Sequence, residues 1–355
     1  PRALQTRPLS RARPDLATEL GRAPRRVRAC SLAEGVALID LARSAMVTRS
    51  RDLDAFSYGD PADVRLVDWG EGLAFACVGV RPERRLLLEA VYAFLTLRNG
   101  VPIGYVLNSA LFGSAEIAYN VFDTYRGAEA GPVYARALAM VRQLFGAETF
   151  TIFPYQLGDG NDEALESGAW WFYRKFGFAP RDRAVLRRMR GEEARMKKRP
   201  SHRSSIATLR RLARENLYFS LGPARDDVIG QLPIASVGLA VTRFLAANWG
   251  AERERAEREC AAEAAGLLGV AGSGPPSGTH APRGWSAAER LWWRRWSPLV
   301  CILPGVSGWS PAGKSALTAV IRAKGGRRES DFVRAFDAHA PLRDAVRALA
   351  ERTRT

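Results

Sequence analysis

Residues 92–180 read YAFLTLRNGVPIGYVLNSALFGSAEIAYNVFDTYRGAEAGPVYARALAMVRQLFGAETFTIFPYQLGDGNDEALESGAWWFYRKFGFAP, and their pattern decides the fold. Residues 91–97 alternate as a strand, and 102–112 form its partner. Asn99-Gly100 joins them, because both residue types accept the positive φ of a two-residue hairpin turn. Residues 116–122 read as a third strand. Pro132 suits the first turn of a helix, along which Val133, Tyr134, Ala137, Leu138, Val141, Leu144 and Phe145 share one face. Gly146 stops that helix. Residues 149–155 predict a fourth strand, Asn161 or Asp162 caps a helix through Phe176, and a short strand follows before Pro180.

Outward from this stretch the signals are local. Residues 26–30 predict a strand. Ser31 is the N-cap of a helix to Val47, with Leu32, Val36, Ile39 and Leu41 as its expected apolar face. Residues 58–61 predict a turn, and 64–67 and 73–80 a strand pair around Gly70-Glu71-Gly72. On the C-terminal side, 181–200 predict an Arg-rich surface helix, and helices are expected at 237–249, 251–268, 286–296, 310–324, 329–339 and 341–352. The expected organisation is a basic arm at 1–24, a domain at 25–182, a basic helical connector at 183–230 and an α-helical region at 231–355 with a loop at 271–284. The fold class is α/β, of the α+β kind: a mixed, mostly antiparallel central sheet flanked by helices, then a mainly helical C-terminal region.

The chain has 355 residues and a net charge of +16, with only five lysines (175, 197, 198, 314 and 324) among 53 basic residues. Such Arg and Ala richness fits a GC-rich, bacterial-like composition. The charge attracts anions, but no nucleic-acid recognition motif accompanies it, so nucleic acid is not the expected partner. Cys30, Cys77, Cys260 and Cys301 form no CxxC pair, and His202, His280 and His339 have no ligand spacing, so no metal is expected. The cysteines read as reduced, buried thiols of a cytoplasmic protein. No apolar run reaches the length of a membrane span, and residues 1–28 lack the apolar core of a secretory signal. The chain starts without Met, as a fragment or a processed form does.

The order hairpin, strand, Arg-Gly turn, helix, strand, helix, ending in Phe172-Tyr173-Arg174-Lys175-Phe176-Gly177-Phe178, resembles the core of the GNAT N-acyltransferase superfamily over residues 25–182. The resemblance implies acetyl- or another acyl-coenzyme A as substrate and a small-molecule or protein amine as acceptor. It implies a helix N-terminus for the diphosphate, a splayed strand whose free backbone pins the pantetheine arm, a base and an acid. Residues 99–103 are similar to the family's central hairpin, with Gly104 in the usual Gly position. Residues 116–121 resemble the strand facing the donor, which makes Glu116 the implied general base and Asn120 and Val121 donor-binding residues. Arg126, Gly127, Ala128 and Gly131 resemble the pyrophosphate loop. Ala169 and Tyr173 match the closing signature, with Tyr173 as the implied general acid.

Two residues depart from that pattern. Glu129 stands where the loop has its first Gly, and a carboxylate about 4 Å from a phosphate charge costs on the order of 4 kcal/mol at an effective dielectric near 20 unless it turns away. Glu166 stands where Asn is frequent. The residues also have plainer roles: Glu116 as a solvated strand carboxylate, Tyr173 as core packing beside Trp170, Trp171 and Phe172, Arg126 as one surface Arg among many. The alternative to acyl transfer is a non-catalytic GNAT-fold binding or regulatory module that has lost the donor site. A third possibility is a basic nucleic-acid-associated protein, recognised by a steep salt dependence.

Two further motifs have simpler explanations. Residues 308–315 fit the P-loop pattern letter for letter, but no parallel sheet follows, and Ser310-Pro311 is explained as an N-cap and first-turn Pro. Trp285, Trp292, Trp293 and Trp296, with Arg290, Arg294 and Arg295, predict a helix packing its Trp face inward while its Arg side chains stay wet.

Overall fold

The computed structural model describes residues 3–4, 13–51, 53–127, 129–270 and 280–352. Nine strands form one open, mostly antiparallel sheet: β1 Arg26–Ala29, β2 Gly59–Gly70, β3 Leu73–Val80, β4 Ala90–Arg98, β5 Val101–Leu111, β6 Ser114–Val121, β7 Thr149–Ile152, β8 Ala179–Pro180 and β9 Leu217–Ser220. Their spatial order is β1-β2-β3-β4-β5-β6-β7-β9-β8. Of the strand pairs only β6 and β7 run parallel, and the helix at Ala130–Phe145 supplies the long crossover that parallel neighbours need. Among the described residues there are fourteen α-helices. The first eight are α1 Leu16–Leu20, α2 Leu32–Val47, α3 Ala130–Phe145, α4 Pro154–Leu157, α5 Asp162–Glu166, α6 Ala169–Lys175, α7 Arg183–Lys198 and α8 Ile206–Leu212. The C-terminal six are α9 Ile234–Trp249, α10 Arg253–Leu268, α11 Ala287–Ile302, α12 Pro311–Lys324, α13 Glu329–Ala338 and α14 Ala340–Arg352.

Local signals fixed much of this. Asn99 and Gly100 take φ of 51° and 83°, the two positive values a type I′ hairpin requires. Ser31 closes a capping box with Glu34, and Gly146 ends α3 in the left-handed conformation. Helix α2 forms as expected, but with a different face inward. Leu32 and Val36 are exposed and Leu41 borders on exposed, whereas Gly35, Ile39, Ala42, Ala45 and Met46 are buried. The small residues face inward because the helix backbone lies close to β2: a Cβ at Gly35 would come 2.3 Å from the Pro61 carbonyl oxygen. Gly35→Ala is therefore expected to destabilise by about 1–3 kcal/mol in urea unfolding, although Ala favours helix. A stabilised variant would show that α2 and β2 do not touch so closely.

Other expectations are corrected. The turn expected at 58–61 is mostly strand, since β2 begins at Gly59 and absorbs Pro61 at a register shift between Gly59 and Val64. The strand expected at 149–155 ends at Ile152, because Pro154 has no amide to continue the ladder and starts α4. The helix expected through Phe176 is broken at Gly168, which takes φ 69° and separates α5 from α6. The segment expected as a helical connector supplies β9, which lies between β7 and β8. Within the arm, Leu16 and Leu20 of α1 are buried, and Arg142 of α3 donates to the Leu20 carbonyl at 3.0 Å.

The sheet divides two apolar layers. Helix α2 covers one, around Ile39, Met46, Phe56, Val78 and Leu95. The other runs from Leu16 through α3 into the C-terminal helices without a break at 182 or 230. Trp292, Trp293 and Trp296 are buried in it, and the Trp292 and Trp296 indoles donate to the Pro82 and Leu87 carbonyls. Ser310 caps α12, and residues 299–302 belong to α11, so no strand precedes the P-loop-like motif. Part of the expected loop 271–284, residues 271–279, lies outside the described residues. No helix among the described residues is long and apolar enough to cross a membrane.

Candidate functional site

The parallel strands β6 and β7 pair only over Ser114–Glu116 and Thr149–Thr151, and then they part. The Phe122 amide donates to the Ile103 carbonyl on β5. Backbone direction alternates along a strand, so the amides of Ile117, Tyr119 and Val121 face the other way: that of Ile117 closes the last rung of the ladder with Thr151, that of Tyr119 meets the Tyr173 oxygen, and that of Val121 lies beyond the residues paired with β7. A cleft of about 540 Å³ fills the opening, walled by Tyr105 and Leu107 of β5, Ala118 and Asn120 of β6, and Phe172 and Tyr173 of α6. Gly104 lets β5 and β6 approach at this point, since a Cβ there would meet the Asn120 carbonyl at 2.3 Å.

Tyr173 belongs to this cleft and to the core at once. It is 3% exposed and packs edge-on against Tyr134. Burial pushes its phenol pKa up, and the Tyr119 backbone N–H facing its oxygen pulls the other way. Asn120 lines the cleft with a buried Oδ1 that has no hydrogen-bond partner among the described residues. Such an orphan acceptor in a cavity wall is an invitation to a donor. The Val121 carbonyl also faces the cleft side and receives Arg126 Nε at 3.4 Å.

The mouth is charged. Arg126 pairs with Asp123 at 2.8 Å and contacts Glu163. Arg51 grips the same Glu163 with both guanidinium nitrogens, at 2.8 and 2.9 Å. Arg51 first, and then Arg126, hold the Glu163 carboxyl down to about 2. Neither Arg51 nor Glu163 stood out in the sequence, for an Arg among so many carries no signal and the pair is 112 residues apart.

The loop before α3 is open at Gly127. Nothing lies within 4 Å of a Cβ placed on Gly127, while one on Gly131 would meet the Phe176 ring at 3.3 Å. Ala128 lies outside the described residues. Glu129 occupies the N-cap position of α3 without capping it, and its carboxylate is turned onto Arg98 at 2.6 Å. It lines a cavity of about 250 Å³ that shares Tyr119, Val121 and Ala130 with the cleft, and it is absent from the wall of the cleft itself. The first turn of α3 is held against β6 by the Tyr119 hydroxyl, which donates to the Ala130 carbonyl at 3.0 Å.

Glu116 sits where the strands part, opposite Ser109 on β5 and Thr151 on β7. It shares a sheet face with Ala118 and Asn120 but is not itself in the cleft wall. It is partly buried rather than solvated. Burial, reinforced by Glu89, pushes its carboxyl up to about 7. Glu89 is held beside it by Ser109, whose hydroxyl donates to Glu89 Oε1 at 2.9 Å. Glu89 had no motif to mark it and was found only through the fold.

Among the described residues no group of three His, Cys, Asp or Glu side chains gathers to hold a metal. Comparison of the chain with known families, curated proteins and solved structures found no match.

Proposed function

We propose that this chain is a GNAT-type N-acyltransferase that moves an acetyl or longer acyl group from coenzyme A to an amine. The observation that carries this reading is the parting of β6 from β7, which exposes strand backbone beside the uncapped first turn of α3. A helix N-terminus and an Arg at the mouth suit a diphosphate. The Val121 amide, past the last residue of β6 that pairs with β7, and the free Asn120 oxygen suit an amide-bearing arm. Glu129, the residue that argued against a donor, is paired with Arg98 and is not in the wall of the cleft.

In this reading the amine attacks the thioester carbon, so that a C–N bond forms and the C–S bond breaks. Glu116, one residue pair from the cleft wall, takes the amine proton through an intervening water. A base poised near neutrality is suited to that task. The Tyr173 hydroxyl returns a proton to the leaving thiolate.

One observation favours the non-catalytic module instead: Glu163 occupies both Arg51 and Arg126 at the mouth. Calorimetric titration with acetyl-coenzyme A decides between them. The native chain is expected to bind in the micromolar range, Glu129→Gly to change this by less than about threefold, and Ala118→Trp to abolish it by filling the cleft. Glu163→Gln frees two cations and is expected to tighten binding about tenfold, or about 1.4 kcal/mol. Absence of binding by the native chain, Glu129→Gly and Glu163→Gln alike would establish the module.

A further inference from the structure

A further cavity, of about 480 Å³, opens between α9, α10 and α11, on the C-terminal helices. Its size falls within the range of small-molecule sites, about 300–1,000 Å³. One wall is apolar: Val241, Leu245 and Ala246 of α9 face Ala256 of α10 and Trp292 and Pro298 of α11. Arg253, Arg294 and Arg295 line the same cavity. Arg85 also borders it, but its guanidinium is committed to the Val80, Lys324 and Gly326 carbonyls.

The remaining cations are poorly compensated. Glu257 is the one acid in the lining, and it pairs with Arg253 at 3.0 Å. Arg294 Nε is buried with no hydrogen-bond partner among the described residues. Arg295 gives one N–H to the Glu83 carbonyl at 3.0 Å and lies 5.2 Å from the Trp292 ring centre. Burial first, and then Arg253, push the Arg295 pKa down; Glu257 opposes them, and Arg294 and Glu83 add smaller effects of opposite sign. Three guanidinium groups thus line a largely apolar cavity whose lining holds a single carboxylate.

We infer that this cavity binds a single-chain anionic amphiphile, its phosphate or carboxylate head against Arg294 and Arg295 and its alkyl chain along α9 and Trp292. A head alone leaves the apolar wall wet, and a neutral chain leaves the guanidinium groups unpaired. Only a ligand with both parts answers both features. The site is separate from the β6–β7 cleft, so it stands or falls independently of acyl transfer.

The test is calorimetric titration of the full chain with hexyl, octyl and decyl phosphate, each below its micelle concentration. Affinity is expected to rise about fourfold per added methylene. Inorganic phosphate is expected not to bind at millimolar concentration, and decanol to bind at least tenfold more weakly than decyl phosphate. Arg294→Gln with Arg295→Gln removes the head contacts and is expected to weaken decyl phosphate at least tenfold. Ala246→Trp, at an exposed position that leaves the core intact, fills the cavity and is expected to do the same. The inference is overturned by an affinity independent of chain length, by equal binding of inorganic phosphate, or by indifference to Ala246→Trp. Binding to vesicles containing phosphatidic acid without binding of the monomeric phosphates also overturns it, since the ligand is then a membrane surface.

Discussion

Lys324→Met is expected to lower the unfolding free energy by about 3–5 kcal/mol and the melting temperature by about 10 °C. Lys324 Nζ is fully buried and donates to Glu329 Oε1 at 2.5 Å, and to the Glu89 and Leu88 carbonyls at 3.0 and 3.2 Å. It lies 4.1 Å from the centre of the Phe332 ring. Burial pulls its pKa down to about 8, while Glu329 pulls the other way. The ion pair itself adds little net stability, because desolvation offsets most of the attraction. The cost of the substitution arises from what stays behind: a Glu329 side chain with no exposed surface, whose Oε2 already lacks a hydrogen bond. Arg85, 3.8 Å from Glu329, is held by carbonyls and cannot replace the lysine. Lys324→Met with Glu329→Leu removes both charges and is expected to recover most of the loss. A double variant as unstable as the single one would refute this account. The same cluster joins the C-terminal helices to the sheet. Asp63 accepts from the Glu329 amide, and the Tyr92 hydroxyl accepts from the Ser330 amide at 2.9 Å.

The second large effect belongs to Glu116. Its folded pKa is raised to about 7 from 4.5, so the fold favours its protonated form. A raised carboxyl contributes stability that is present below its unfolded pKa and is lost as pH rises through its folded value. Gln imitates the protonated form and does not titrate. Glu116→Gln is therefore expected to match the native chain within about 1 kcal/mol at pH 5 and to exceed it by on the order of 3 kcal/mol at pH 8. Chemical denaturation at the two pH values measures this without an assay of activity. An equal advantage at both, or none, would mean that Glu116 titrates normally, and the proposal that it acts as a base near neutrality would go with that. A residue that costs stability where it stands is what a working site tolerates.

The signals that proved legible were those a few residues can settle. The Ser31–Glu34 capping box, the positive φ of Asn99-Gly100 and the Gly146 stop depend on neighbours in sequence, and they formed as expected. Apolar periodicity found α3 for the same reason, since its inward stripe is continuous. Periodicity failed for α2, where Leu32 and Val36 are exposed, because a close helix–strand approach favours Gly and Ala over larger apolar side chains. It also failed for β9, whose four residues gain their hydrogen bonds from β7 and β8, strands they follow at a distance in the chain.

The site divides along the same line. Sequence determined the local parts: a helix whose N-terminus follows Arg126-Gly127, an α6 carrying Tyr173, and a β6 carrying Glu116, Asn120 and Val121. The tertiary structure alone decided that β6 and β7 part beyond Glu116, that Glu129 turns to Arg98, and that Arg51 and Glu163 meet at the mouth. It alone set Glu89 beside Glu116 and raised that carboxyl towards neutrality. Turns, caps and periodicity are free-energy choices within one segment. Pairing partners, burial and charge neighbourhoods are choices between segments, and they exist only once the chain has closed on itself.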